Sequence, residues 1–264
     1  MCLDGWGTVE EIAVHGLASS SRQWEAFTAW AHGAYGLTDD SWDPAGVGDP
    51  NDGTLPYGKV LTSIFLLCYA LSDDYSRQWH STEDYVSCSR AAGNRFHGPF
   101  YMRFIEYDGS SEADAETGRT AARDRTNLHC PLFNSGVGSP SNFPSHRAGV
   151  LLHEAWHHWQ YAHGFKTSHP GGGSCTGAEC DWYYFHGVGE FDFGTLDRWS
   201  TAGDSFRFHS PYQVETEFFA DLAELCRPWV PSAVAQTARD HGNTLLSKYC
   251  VNGVGYRIGQ PRPW

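Results

Sequence analysis

A mixed helix-and-strand fold is what the sequence predicts, and three observations carry it. Apolar residues recur at helical spacing over several helix-length segments. Two short apolar runs, Phe100 to Tyr107 and Asn127 to Phe133, read as strands. The chain has 264 residues, 41% hydrophobic and 19% charged, so it can bury a substantial core.

In chain order, Ser21 to His32 reads as a helix with Trp24 and Phe27 on one side, joined by Trp30. Residues 37–58 form a long Gly-, Pro- and Asp-rich loop. Its Asp49-Pro50-Asn51-Asp52-Gly53 carries oxygens suited to Ca2+, although turn formation by Asn-Asp-Gly accounts for the same residues. Lys59 to Leu71 is apolar on most sides and reads as a buried helix, and Tyr75 to Cys88 as a second. Glu112 to Arg125 is polar and reads as a surface turn or short helix. Cys130 lies on the second strand. A helix then begins near Ser145 as N-cap and stops at Gly164. Residues 167–180 are Gly-rich, and 181–205 are aromatic and irregular. A helix follows Pro211 and ends before Pro228, and another spans Ser232 to Tyr249.

The net charge of -13 argues against nucleic acid and against anionic membrane surfaces. No apolar run is long enough to span a membrane. Eight cysteines spread along the chain suggest up to four disulfides and an oxidising, extracellular setting. Cys175 and Cys180 are the easiest pair to propose. The start, Met1-Cys2-Leu3-Asp4, lacks the pattern of a signal peptide, so the expectation is a mature secreted form with an added Met1.

The segment that carries chemistry is His153-Glu154-Ala155-Trp156-His157. On a helix, residues four apart share a face, so the two imidazoles can grip one Zn2+. Glu154 then sits where it can take a proton from the water that the metal activates. A third ligand is needed. Glu217 is the preferred candidate, with Asp221 one turn on to orient a ligand imidazole. Asp197 in Gly194-Thr195-Leu196-Asp197 is the alternative, and Glu215 is a further one. His209 and Tyr212 are candidate donors to the carbonyl oxygen as it gains charge, with Tyr183, Tyr184 and His186 behind them. No G-x-S-x-G elbow is present, so a serine nucleophile has no support.

These residues resemble the zincin-like metallopeptidases. Residues 127–133, then Arg147 and Leu151-Leu152-His153-Glu154, look like the edge strand and active-site helix of secreted members. Glu217-x-x-x-Asp221 looks like the second motif of the gluzincin branch. Gly194-Thr195-Leu196-Asp197 is similar to the aspzincin motif but lacks its Tyr and Gly. The resemblance covers roughly 127–226. It implies an α+β, zincin-like fold in which helices and a small mixed sheet surround a cleft, stabilised here by disulfides. With the chain's length, the expectation is a single metallopeptidase domain over 1–264, with an N-terminal lobe at 1–126, a metal-site core at 127–226 and a C-terminal segment at 227–264.

The expected function is a secreted, monomeric zinc endopeptidase acting on polypeptides. An extended substrate is expected to pair with the strand ending at Phe133. The alternatives are a non-proteolytic binding or toxin-like module, and a zinc amidase acting on a non-peptide bond.

Overall fold

The structure is a computed structural model describing residues 9–20, 24–37, 42, 48–70, 104–108, 113–117, 125–133, 143–162, 211–226, 228–249 and 257–260. The expected helix over 75–88 and every expectation placed on 163–210 lie outside the described residues. The elements in order are α1 (Val9–Ser19), α2 (Trp24–Ala34), α3 (Pro56–Tyr69), β1 (Phe104–Tyr107), β2 (Ala115–Thr117), β3 (Arg125–Leu128), a 3-10 turn (Cys130–Leu132), α4 (Pro144–Ala162), α5 (Pro211–Leu225) and α6 (Ser232–Tyr249). This is an α+β arrangement: among the described residues, helices with one small mixed sheet.

Three helices, α3, α4 and α5, begin on proline. The proline ring presets a helical φ, and the missing N–H falls where no intrahelical acceptor exists. This moves the start of α4. The Phe143 carbonyl accepts the first helical bond, from Arg147 N at 3.1 Å. Phe143 is therefore the N-cap, and Ser145 lies inside the first turn. On α2, Trp24, Phe27 and Ala31 are buried while Trp30 is 44% exposed. Trp30 is six residues from Trp24, about 240° around a helix, so it lies at the margin of that stripe, with its ring 5.9 Å from Phe27. The helix α1 was not expected from the sequence. It is held by Val14 and Ala18, both fully buried.

The core is built around α3, where Val60, Leu61, Ile64 and Leu66 are buried. Trp24 and Phe27 pack on Phe65, and Trp42 packs on Tyr57, Tyr107 and Phe133. Buried hydroxyls on α3 are satisfied within the helix: Thr62 Oγ1 donates to Gly58 O and Ser63 Oγ to Lys59 O. The buried Arg147 on α4 donates from Nε to Ser63 Oγ at 3.2 Å, and so ties α4 to α3. α4 is the hub of the fold, packing against α3, α5, α6 and β2.

The sheet order is β1-β3-β2, with β1 parallel and β2 antiparallel to β3. Two expectations change here. The second strand ends at Leu128, because the Pro131 segment turns into a 3-10 helix, and Cys130 sits on that turn. β3 is also central, so the strand leading to Phe133 has no free edge for a substrate. Among the described residues the edge strands are β1 and β2, and β2 is formed by Ala115–Thr117 within the segment expected to be a turn or short helix.

Cys68 and Cys226 are not in disulfides, so of the up to four disulfides expected at most three can form. The proposed Cys175–Cys180 pair lies outside the described residues. In the 48–55 loop, Asp49 Oδ1 accepts from Asn51 N at 2.8 Å, and Asp52 Oδ1 accepts from Thr54 N at 2.9 Å. These carboxylates cap their own turns, as the turn-forming reading of that loop expects. Among the described residues, no helix is long and apolar enough to cross a membrane.

Candidate metal centre

α4 presents His153, Glu154 and His157 together, and all three side chains are buried. Each offers one ligand atom, and these atoms lie within 4.8 Å of one another. The His153 and His157 rings are 5.0 Å apart, the consequence of four-residue spacing on one helical face. Two neutral imidazoles beside a carboxylate suit a divalent transition ion, zinc among them. Among the described residues, this is the group of three metal-ligating side chains close enough to share an ion.

Two paired threonines hold this face of α4 against the sheet. Thr117 on β2 and Thr126 on β3 are register partners. Thr117 Oγ1 donates to Glu154 Oε2 at 2.5 Å. Thr126 Oγ1 and His158 Nε2 are hydrogen-bonded at 2.9 Å. Glu154 and His158 are themselves four apart, so successive turns of α4 are pinned to neighbouring strands. His158 is thereby a buried structural residue and not one of the solvated histidines a plain surface helix would carry.

From the other side, α5 reaches His153. Glu215 Oε2 lies 3.1 Å from His153 Nδ1. The Tyr212 ring packs edge-on against His153 with centroids 4.7 Å apart. The two helices approach closely at Gly149, one turn before His153. A Cβ there would lie 2.4 Å from Phe219 Cζ and 3.2 Å from Glu215 Cγ.

Electrostatics follow from burial. Burial pushes the Glu154 carboxyl up to about 7; the Thr117 hydroxyl opposes this, while the Glu215 and Glu116 charges add to it. Burial likewise pushes Glu215 up to about 7, with His146 pulling it down and Asp114 raising it. One further turn toward the start of α4, His146 lies 3.4 Å from Asp114, and its ring is 5.0 Å from His241 of α6. Burial holds the His241 imidazole down at about 3, with the neighbouring His146 contributing.

Of the expected site residues, His153, Glu154, His157 and Tyr212 are brought together. Asp221 is buried on α5. Glu217 lies on α5 one turn before Asp221, but its side chain is outside the described residues, as are Asp197, His209, Tyr183, Tyr184 and His186. Sequence reasoning missed Thr117, because three polar-flanked residues give no strand signal. It considered Glu215 only as a metal ligand, whereas Glu215 is the hydrogen-bond partner found on His153 Nδ1. No protein-family model matches the chain, and the comparisons with curated proteins and with solved structures found no match.

Proposed function

We propose that the chain is a secreted zinc endopeptidase. The observation that carries this reading is the buried His153–Glu154–His157 group on one helix, with Glu154 held by Thr117 of an edge strand. His153 and His157 are proposed to hold the metal, with Glu217 as third ligand. A zinc ion bound there supplies Lewis-acid activation of a water and of the scissile carbonyl.

The chain's own residues supply the rest. Glu154 accepts the water's proton, and a carboxyl raised to about 7 by burial takes up and releases protons near neutral pH. Thr117 fixes the rotamer of that carboxylate by its hydroxyl. Tyr212, packed on His153, is the proposed donor to the carbonyl oxygen as it gains charge. β2 packs on α4 and, among the described residues, pairs with a strand on one side only. An extended peptide laid along its other side would run past Glu154, which favours a polypeptide substrate.

The test measures bound zinc and casein cleavage for the wild type and for Glu154→Gln. Zinc retained with cleavage lost by at least about 100-fold supports the reading, since one general base contributes ~10²–10⁴. Unchanged cleavage refutes Glu154 as base. A wild type that binds no zinc refutes the metal site, and a zinc-loaded wild type that leaves peptides intact returns the amidase and binding-module alternatives.

A further inference from the structure

We infer that Glu215 is a positioning residue for His153, seated against it through a notch that Gly149 leaves in α4. The inference rests on reading His153 as a metal ligand, and it goes beyond the motif comparison, which assigns imidazole orientation to Asp221. Three observations converge. Glu215 Oε2 is 3.1 Å from His153 Nδ1, and both side chains are buried. Gly149 and His153 are successive turns of α4, and Glu215 and Phe219 are successive turns of α5. A Cβ at position 149 would meet both Phe219 and the Glu215 side chain, so the approach that delivers Glu215 to His153 requires glycine there.

The chemistry follows from the ring. A neutral imidazole carries its proton on one nitrogen and a lone pair on the other. With Nδ1–H donating to Glu215, the lone pair is on Nε2, the nitrogen left to face the ion. The carboxylate also makes that ligand more basic and fixes the ring plane. Glu215 thus acts through His153 and is not itself required to touch the metal.

The test compares Glu215→Gln, which keeps a carbonyl acceptor, with Glu215→Met, which fills similar volume without one. The first readout is the tautomer of the neutral His153 imidazole in metal-free protein, by long-range nitrogen–proton correlation NMR. The expectation is the Nδ1–H form in the wild type and in Glu215→Gln, and a shift toward Nε2–H in Glu215→Met. The second readout is zinc affinity by chelator competition. Glu215→Met should lose about 10–100-fold, while Glu215→Gln stays much closer to the wild type. An unchanged tautomer in Glu215→Met overturns the inference. A Glu215→Gln that loses zinc as badly as Glu215→Met overturns it too, because that is the behaviour of a direct ligand. The tautomer needs no metal, so failure of the wild type to bind zinc would sink the proposed function and leave this assignment decided by the NMR.

Discussion

Replacing Gly149 by alanine perturbs the closest approach of α4 to α5. The added methyl would lie 2.4 and 2.8 Å from two Phe219 ring carbons and 3.2 Å from Glu215 Cγ. Carbon pairs sit comfortably at about 3.5–4.0 Å, so the ring must retreat by more than ~1 Å. Phe219 is fully buried and packed against Phe218 and His241, with centroids at 5.8 and 5.6 Å. It therefore has no solvent to move into, and the helices must separate. Overpacking of this kind costs about 1–3 kcal/mol, and alanine recovers roughly 1 kcal/mol of helix propensity. The expected net loss is up to about 2 kcal/mol, a fall in melting temperature of up to ~8 °C for a chain of this size. Zinc affinity should fall in the same variant, because α5 carries Glu215. Calorimetry and chelator competition on Gly149→Ala measure both quantities. A second change, Phe219→Leu, should recover part of the stability in a double-mutant cycle. A Gly149→Ala protein as stable as the wild type, with unchanged zinc affinity, would refute the packing argument.

Three further outcomes are expected. The His241 pKa is depressed to about 3 in the fold, against roughly 6.5 unfolded, so its contribution is intact above about pH 6.5 and is lost progressively as pH falls toward 3. Between pH 7 and 5 the wild type should lose about 2 kcal/mol more, by urea midpoints, than His241→Phe, and parallel pH profiles would count against the assignment. Thr117→Val removes a hydroxyl that lowers the Glu154 pKa, so the acid limb of any peptidase pH–rate profile should move up by about one unit. An unmoved acid limb would show that Thr117 does not act on the base. The Cys68 thiol is pushed well up by burial, so it should resist alkylation at pH 8 in the native protein and react once unfolded, as mass spectrometry of the labelled peptides would report.

How much of this was legible beforehand depended on the range of the interaction. The C-terminal helix was read at its observed bounds, Ser232 to Tyr249, because apolar spacing along one helix is a local signal. The bounds of α3 and α4 shifted by a few residues where proline, not the expected residue, begins the helix. β2 was illegible, because its three residues earn their strand conformation from pairing with β3 and not from their own propensity. The edge-strand expectation went to the wrong segment for the same reason, since sheet order is a long-range property.

The sequence by itself determined the heart of the candidate site. Four-residue spacing on a helix places His153 and His157 on one face with Glu154 beside them, whatever the rest of the chain does. Only the tertiary structure decided what holds those groups. Thr117 meets Glu154 because β2 pairs with β3 and packs on α4, and Glu215 meets His153 because Gly149 lets α5 come close. Both contacts join residues 37 and 62 positions apart, and no local rule of propensity or spacing acts across that distance.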